Sequence, residues 1–226
     1  MTFHRETITS SLKASSPVFF GYISIGFAFG FLLVKAGFHW VLAPIMCVII
    51  FAGAAQFMAI GMLLSDKNPL EIGLAVLLIN ARHMVYGLSL LERFKTFRKF
   101  KYYLIYGLTD ETYALLTTLE PPEGTDPESF DFWITAFNHS YWTLGSTFGA
   151  LLGTVVSFNA PGLDFALTAL FIVLTIEQIK VIKRIGPFII PILVVLILKL
   201  FGHTEDILII SIMLSSIGCF FLGNKR

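Results

Sequence analysis

The sequence predicts an all-α polytopic integral membrane protein with six to eight hydrophobic helical segments, some of them re-entrant or broken, and a weak internal repeat. Three observations carry this. The 226 residues are 56% hydrophobic and only 14% charged, against roughly 25% charged in ordinary soluble domains. Mean hydropathy is +0.79 and 23 residues are phenylalanine, more apolar surface than a soluble fold of this size can hide but which lipid can cover. Finally, Asn80-Ala81-Arg82-His83-Met84-Val85-Tyr86-Gly87 sets an arginine and a histidine inside the apolar run 69–91. Arg82 stands ten residues before Glu92, hence about 15 Å along a helix axis, half the roughly 30 Å hydrocarbon thickness of a bilayer. A guanidinium at that depth is costly unless paired or hydrated, so it marks a pathway or a site.

The chain reads as one transmembrane domain over residues 1–226. Residues 1–16 carry His4, Arg5, Glu6 and Lys13 and form a short amphipathic lead-in. They are followed by a long apolar run without a small-residue cleavage site, unlike a signal peptide. Eight apolar segments then follow, at 17–34, 39–64, 69–91, 102–119, 132–156, 163–179, 186–200 and 205–222. Connections are short except for the basic stretch 92–101 and the acidic stretch 120–131. Cys47 and Cys219 lie in apolar runs, and no CxxC motif is present.

If every segment crosses, the 15 lysines and arginines other than Arg82 divide seven against eight, contrary to the cytoplasmic bias of such residues. If 39–64 turns back at Gly53-Ala54-Ala55-Gln56 and 102–119 turns back around 107–111, the division becomes 12 inside against 3 outside. Non-helical backbone at membrane depth is tolerated where it lines a cavity or is buried in protein. The internal repeat rests on Leu70-Glu71-x-x-Leu74-x-x-Leu77-x-Ile79 beside Leu163-Asp164-x-x-Leu167-x-x-Leu170-x-Ile172. It rests also on Phe29-Gly30-Phe31-Leu32-Leu33 beside Phe148-Gly149-Ala150-Leu151-Leu152. Repeats with interrupted helices are a common plan of secondary transporters.

On 69–91, helical periodicity aligns Arg82, Tyr86 and Ser89 on one face, and Asn80, His83 and Gly87 on its neighbour. A single structural ion pair does not need Asn, His and Tyr beside it, which favours a cavity lining. In Thr109-Asp110-Glu111-Thr112, Asp110 stands nine residues after Lys101, about 13 Å from the basic belt if helical. That depth matches Arg82, so an Arg82–Asp110 or Arg82–Glu111 pair is expected. Two adjacent acids facing one arginine leave one carboxylate to titrate, because burial disfavours the charged form; Glu111 is the proton-coupling candidate. Gln56 after three small residues fits either close helix packing or an unwound bend that binds a polar ligand. Asn138 and His139 lie only seven or eight residues into their segment and read as close to the surface, as does Glu177 beside Lys180. No metal-ligand spacing, Walker A, HExxH, GxSxG or paired-aspartate protease pattern occurs. Net charge is +1, with no basic tract interleaved with aromatics, so nucleic acid is not an expected partner.

Gly53-Ala54-Ala55-Gln56-Phe57, Asn80-x-Arg82-His83-x-x-Tyr86-Gly87, Thr109-Asp110-Glu111-Thr112-Tyr113-Ala114-Leu115 and Leu163-Asp164-Phe165-Ala166-Leu167 together resemble the AzlC family. Its members are the large, YgaZ-like subunits of bipartite branched-chain amino-acid exporters. On its residues the chain reads as a secondary transporter of the bacterial cytoplasmic membrane, not an enzyme, with no cofactor expected; the resemblance implies export of branched-chain amino acids. It implies a small AzlD-type membrane subunit as partner and a small hydrophobic amino acid as substrate. From the residues themselves, the site expected to bind it comprises Gln56, Asn80, Arg82, His83, Tyr86 and Asp110, with Glu111 coupling protons. An intramembrane enzyme using His83 or His139, or a channel or structural subunit, are the alternatives.

Overall fold

The computed structural model describes residues 2–65, 68–156, 172, 175–176, 179, 186–201 and 207–223. The described elements are helices: α1 (Thr2–Lys35), α2 (Leu42–Ile49), α3 (Gly53–Leu64), α4 (Pro69–Ser89), α5 (Leu91–Lys95), α6 (Lys101–Tyr106), α7 (Asp110–Thr118), α8 (Pro127–Val155), α9 (Gly186–Leu200) and α10 (Ile207–Gly223). Two of them, over Arg5–Lys35 and Pro69–Ser89, are long and apolar enough to cross a bilayer. The chain divides into two compact units, Met1–Ile60 with Asn80–Pro161, and Gly61–Ile79 with Gly162–Arg226. In the second, α9 and α10 pack together, and Gly218 lets Ile190 approach. Most of 163–179, including the Leu163 motif, the second half of the leucine repeat and Glu177, lies outside the described residues.

The lead-in is continuous with the first apolar run, because both belong to α1. Pro17 lies inside that helix and has no N–H for the Lys13 carbonyl. The Ser16 hydroxyl donates to that carbonyl instead, at 2.8 Å, so the turn stays satisfied.

The first unit is organised by α8. Asp126 caps its start, accepting from the Ser129 N–H at 2.9 Å, and Pro127 follows in the first turn, where its missing N–H costs nothing. A buried row then runs along one face: Asp131, Thr135, Asn138, Trp142, Ser146, Gly149 and Gly153. Spacings of three and four residues keep that row on one side of the helix. The upper part packs on α1. A Cβ on Gly30 would overlap the Ser146 carbonyl oxygen, and one on Gly149 would overlap the Phe27 carbonyl oxygen. Glycines four residues apart on both helices thus let the two backbones touch, as small residues do between membrane helices. These are the Phe29-Gly30 and Phe148-Gly149 stretches of the suspected repeat.

Gly30→Ala is expected to destabilise the protein by about 1–3 kcal/mol, because backbone rather than a flexible side chain must give way. Gly21→Ala, where an added Cβ meets nothing within 4 Å, is the control. Equal melting temperatures of the two variants in detergent would show that the close crossing is not limiting.

The lower part of the unit is an apolar cluster of Leu90, Phe94, Phe97, Leu104, Leu108, Leu116, Phe130 and Ile134. Two polar ties fix it to the basic stretch. Arg93 pairs with the fully buried Asp131 at 2.6 Å and also donates to the Leu116 carbonyl. Glu128 accepts from the backbone N–H groups of Arg98, Lys99 and Phe100, at 3.1, 2.6 and 2.5 Å.

Candidate functional site

Both interrupted segments close against the buried row of α8. The second breaks where expected, at Gly107-Leu108-Thr109 between α6 and α7. Gly107 is required by contact, since a Cβ there would overlap the Thr135 methyl. Thr109 has extended backbone and caps α7, its hydroxyl accepting from the Thr112 N–H at 3.2 Å. Asp110 and Glu111 fall in the first turn of α7, where the helix N-terminus favours negative charge.

The first segment breaks three residues earlier than the expected Gly53–Gln56 bend, at Ile50-Phe51-Ala52 between α2 and α3. Gly53 to Gln56 are helical, and the Gln56 N–H already bonds to the Ala52 carbonyl at 2.9 Å. Gly53 serves close packing, as its Cβ would lie 2.9 Å from the Trp142 ring. The unwinding falls on Phe51, whose φ of 38° is costly for an aromatic residue, of order 1–3 kcal/mol. Its ring is held 4.2 Å from that of His139 and 6.3 Å from that of Tyr106.

Two of the carbonyls that α2 leaves unpaired at its C-terminus are satisfied across this junction. The Tyr106 hydroxyl donates to Val48, and His139 Nε2 lies 3.2 Å from the Cys47 oxygen. Because a carbonyl can only accept, Nε2 carries the proton, leaving Nδ1 to accept from the Tyr103 hydroxyl at 3.1 Å. His139 therefore ties α2 and α6 to α8. Asn138 is completely buried. Asn138 is not exposed as expected from sequence, while His139 is half-buried; α8 begins at Pro127, five residues before the apolar segment drawn at 132, which sets both further from the helix start. Asp126-Pro127, a helix-start signal, was the clue to that position.

The first turn of α7 presents three consecutive side chains to three different helices, as 100° steps dictate. Asp110 faces α4: Arg82 reaches one carboxylate oxygen at 2.7 Å and the Tyr86 hydroxyl donates to the other at 2.8 Å. Glu111 faces α1 and accepts from the Tyr22 hydroxyl at 2.7 Å. Thr112 faces α8 and accepts from the Asn138 amide at 3.0 Å. The expected Arg82–Asp110 pair is thus formed, and the expected polar face of α4 is the one that meets α7. Tyr86 stacks on Tyr113 with centroids 4.3 Å apart, and Ser89 donates to the Tyr113 hydroxyl at 3.0 Å. His83 packs edge-on against Tyr86 at 5.7 Å. The pair is reachable, with Arg82 and Asp110 side chains 43% and 31% exposed. Close by in sequence, the Asn80 side-chain oxygen is buried with no hydrogen-bond partner among the described residues.

Gln56 stands apart from this group. It is fully buried, accepts from the Trp142 indole N–H at 2.9 Å, and donates to Cys47 Sγ at 3.5 Å. Gln56→Leu is expected to cost about 1–3 kcal/mol by leaving the indole N–H buried and unpaired. Parental melting behaviour in detergent would show that the Trp142 bond contributes nothing. Tyr22 and Trp142, which hydrogen-bond Glu111 and Gln56, are the neighbours of these groups that apolar-segment reasoning does not single out. Among the described residues, no cluster of His, Cys, Asp or Glu could hold a metal ion.

A sequence model of the family described as AzlC protein matches residues 17–156, a span that contains both breaks, the charge pair and the close approach of Gly30 and Gly149 between α1 and α8. The chain belongs to the AzlC family. The branched-chain amino acid transport protein AzlC of Bacillus subtilis is 40% identical over 75% of this chain and 66% of its own length. A membrane protein of Helicobacter pylori is 41% identical over 87% of this chain and 86% of its own. The inner membrane protein YgaZ of Escherichia coli is 32% identical over 71% and 67%. No solved structure matches. AzlC membership places this chain in a transport-related membrane family rather than among enzymes. The expectations drawn from the residue motifs are met at that level.

Proposed function

We propose that this AzlC-family chain is a secondary transporter that exports branched-chain or other hydrophobic amino acids across the bacterial cytoplasmic membrane, together with a small AzlD-type subunit. The observation that carries the reading is the reachable Arg82–Asp110 pair at the start of α7, deep within an apolar chain. A zwitterionic substrate with an apolar side chain needs a cation or helix N-terminus for its carboxylate and acceptors for its ammonium. Arg82 and the α7 N-terminus supply the first, Asp110 the second, with Asn80, His83 and Tyr86 beside them. Substrate enters by exchanging with the intramolecular pair, so that no charge is left bare. Glu111, held by Tyr22 rather than Arg82, is the carboxylate that gains and loses a proton during the cycle.

Reconstitution into vesicles with labelled leucine or valine, with and without the small subunit, tests the proposal. Saturable flux without chemical change of the amino acid is expected, and flux proportional to concentration without limit would favour a pore. Glu111→Gln should leave membrane abundance near parental while proton-driven export falls; equal proton dependence in the variant would remove Glu111 from coupling.

Orientation has its own test. With Arg5, the 92–101 loop, the 180–184 loop and the C-terminus all cytoplasmic, cysteines introduced at Lys99, Lys183 and Lys225 should be protected from an impermeant external reagent. External labelling at Lys183 with Lys99 protected would favour eight crossings.

A further inference from the structure

We propose that the Tyr22 hydroxyl is the positioning group that transmits the protonation state of Glu111 to the start of α7. The inference rests on the reading of Glu111 as the coupling carboxylate and adds the group that makes its charge felt. The Tyr22 oxygen lies 2.7 Å from Glu111 Oε2 and 2.6 Å from Thr109 Oγ1. Both distances require a hydrogen between the atoms, yet the phenol has only one to give. The missing hydrogen comes from one neighbour or the other, and Glu111 decides which.

With Glu111 ionised, its oxygen can only accept. Tyr22 therefore donates to Glu111, and the Thr109 hydroxyl turns to donate to Tyr22. With Glu111 protonated, the carboxyl O–H donates to the Tyr22 oxygen and Tyr22 donates to Thr109. The Thr109 proton is then directed to Thr112 Oγ1, 2.9 Å away. One proton gained at Glu111 thus reverses each hydroxyl in the row without any hydroxyl losing its own hydrogen. Thr109 is also the cap of α7, accepting from the Thr112 N–H, and Thr112 is the contact to Asn138 on α8. In the protonated state Thr109 Oγ1 accepts from Tyr22 and from the Thr112 N–H and donates to the Thr112 hydroxyl; in the ionised state it donates to Tyr22, and the Thr112 hydroxyl must turn to donate across the same 2.9 Å. The grip on the first turn of α7, and so on Asp110, changes with the charge of Glu111.

The groups around Glu111 leave this role to Tyr22. Asp110 on α7 and Arg82 on α4 act on it electrostatically but are bound to each other. Towards the same turn α8 presents the uncharged Asn138 amide, and α1 presents Tyr22.

Two measurements on the intact protein with its small subunit test the proposal. In vesicles, proton-driven export of labelled valine is compared with valine exchange at matched pH on the two sides. Tyr22→Phe is expected to flatten the pH profile of driven export and lower its maximum by about tenfold, the effect of one hydrogen bond to a charged group, with a smaller loss in exchange. Thr109→Val should flatten the profile likewise, and Thr109→Ser, which keeps the hydroxyl, should restore it. A parental pH profile in Tyr22→Phe, or equal loss of drive and exchange in folded Tyr22→Phe and in both Thr109 variants, overturns the proposal. The second measurement needs no amino acid. In infrared difference spectra of the purified protein between acid and neutral pH, the carboxyl C=O band missing from Glu111→Gln should change frequency in Tyr22→Phe. An unmoved band overturns the hydrogen-bond assignment. Absence of valine flux in the parent itself, with the band shift present, would instead remove the transport reading and leave the row of hydroxyls standing.

Discussion

Arg82→Ala is expected to abolish amino-acid transport while leaving a substantial fraction of the protein folded in the membrane. Among the described residues, the guanidinium is one of two groups holding Asp110, the other being the Tyr86 hydroxyl at 2.8 Å. A hydrogen bond to a charged group contributes roughly 1.5–3 kcal/mol, so losing it from substrate recognition costs at least about tenfold in rate. The folding penalty should fall below the about 3–5 kcal/mol of a broken, fully buried pair, because both side chains are partly accessible and Tyr86 still satisfies one oxygen. Asp110→Ala should be harsher on abundance, since it leaves the Arg82 cation inside an apolar helix without its carboxylate. The exchange variant, Arg82→Asp with Asp110→Arg, should recover abundance better than transport, because the field at the substrate is reversed. Immunoblots of membranes and labelled valine flux read the two quantities separately. Parental flux in Arg82→Ala would reduce the polar cluster to an anchor.

Arg93→Ala should act in the opposite sense, on the fold before function. Asp131 is fully buried and its second oxygen has no hydrogen-bond partner among the described residues, so removing Arg93 leaves a carboxylate with little to offset its desolvation. The expected loss, about 3–5 kcal/mol, is a large part of a typical net stability of 5–15 kcal/mol. Arg93→Ala combined with Asp131→Asn should regain much of it, because the charge is gone even though the tie is not. Thermal unfolding in detergent and protease resistance measure both variants. A parental melting temperature for Arg93→Ala would mean that the pair does not hold α5 to α8.

The contrast between these two arginines shows how far the sequence could be read. Arg82 was legible because an isolated charge inside an apolar helix has few partners, and counting residues from the shared basic belt brought Asp110 to the same depth. Arg93 was hidden among five basic residues of a loop, where a structural tie and a solvated charge look alike. The break at Gly107 was legible because a glycine precedes a capping threonine and two acids, the grammar of a helix start. The break at Phe51 was not: glycine and alanines drew attention to 53–56, but small residues mark close contact as readily as unwinding. Nothing local in Ile50-Phe51-Ala52 announces a positive φ, which is held by His139 and Tyr106 from distant segments. Tyr22 is a similar case, since a lone tyrosine in an apolar run acquires a role only when α7 brings Thr109 and Glu111 to its hydroxyl.

The grip of Glu128 on the backbone of residues 98–100 bears on how the chain is made. A ribosome delivers the loop first, and its three amide donors must wait about thirty residues of synthesis, well over a second at roughly 5–20 residues per second, before the carboxylate that fixes them emerges. Asp131 arrives three residues later for Arg93. Until then the 92–101 loop stays unshaped, so the placement of the helices it joins is decided late, by the chain that follows. Truncated nascent chains ending before Glu128 should therefore show this loop open to protease, and chains extended past Asp131 should show it closed.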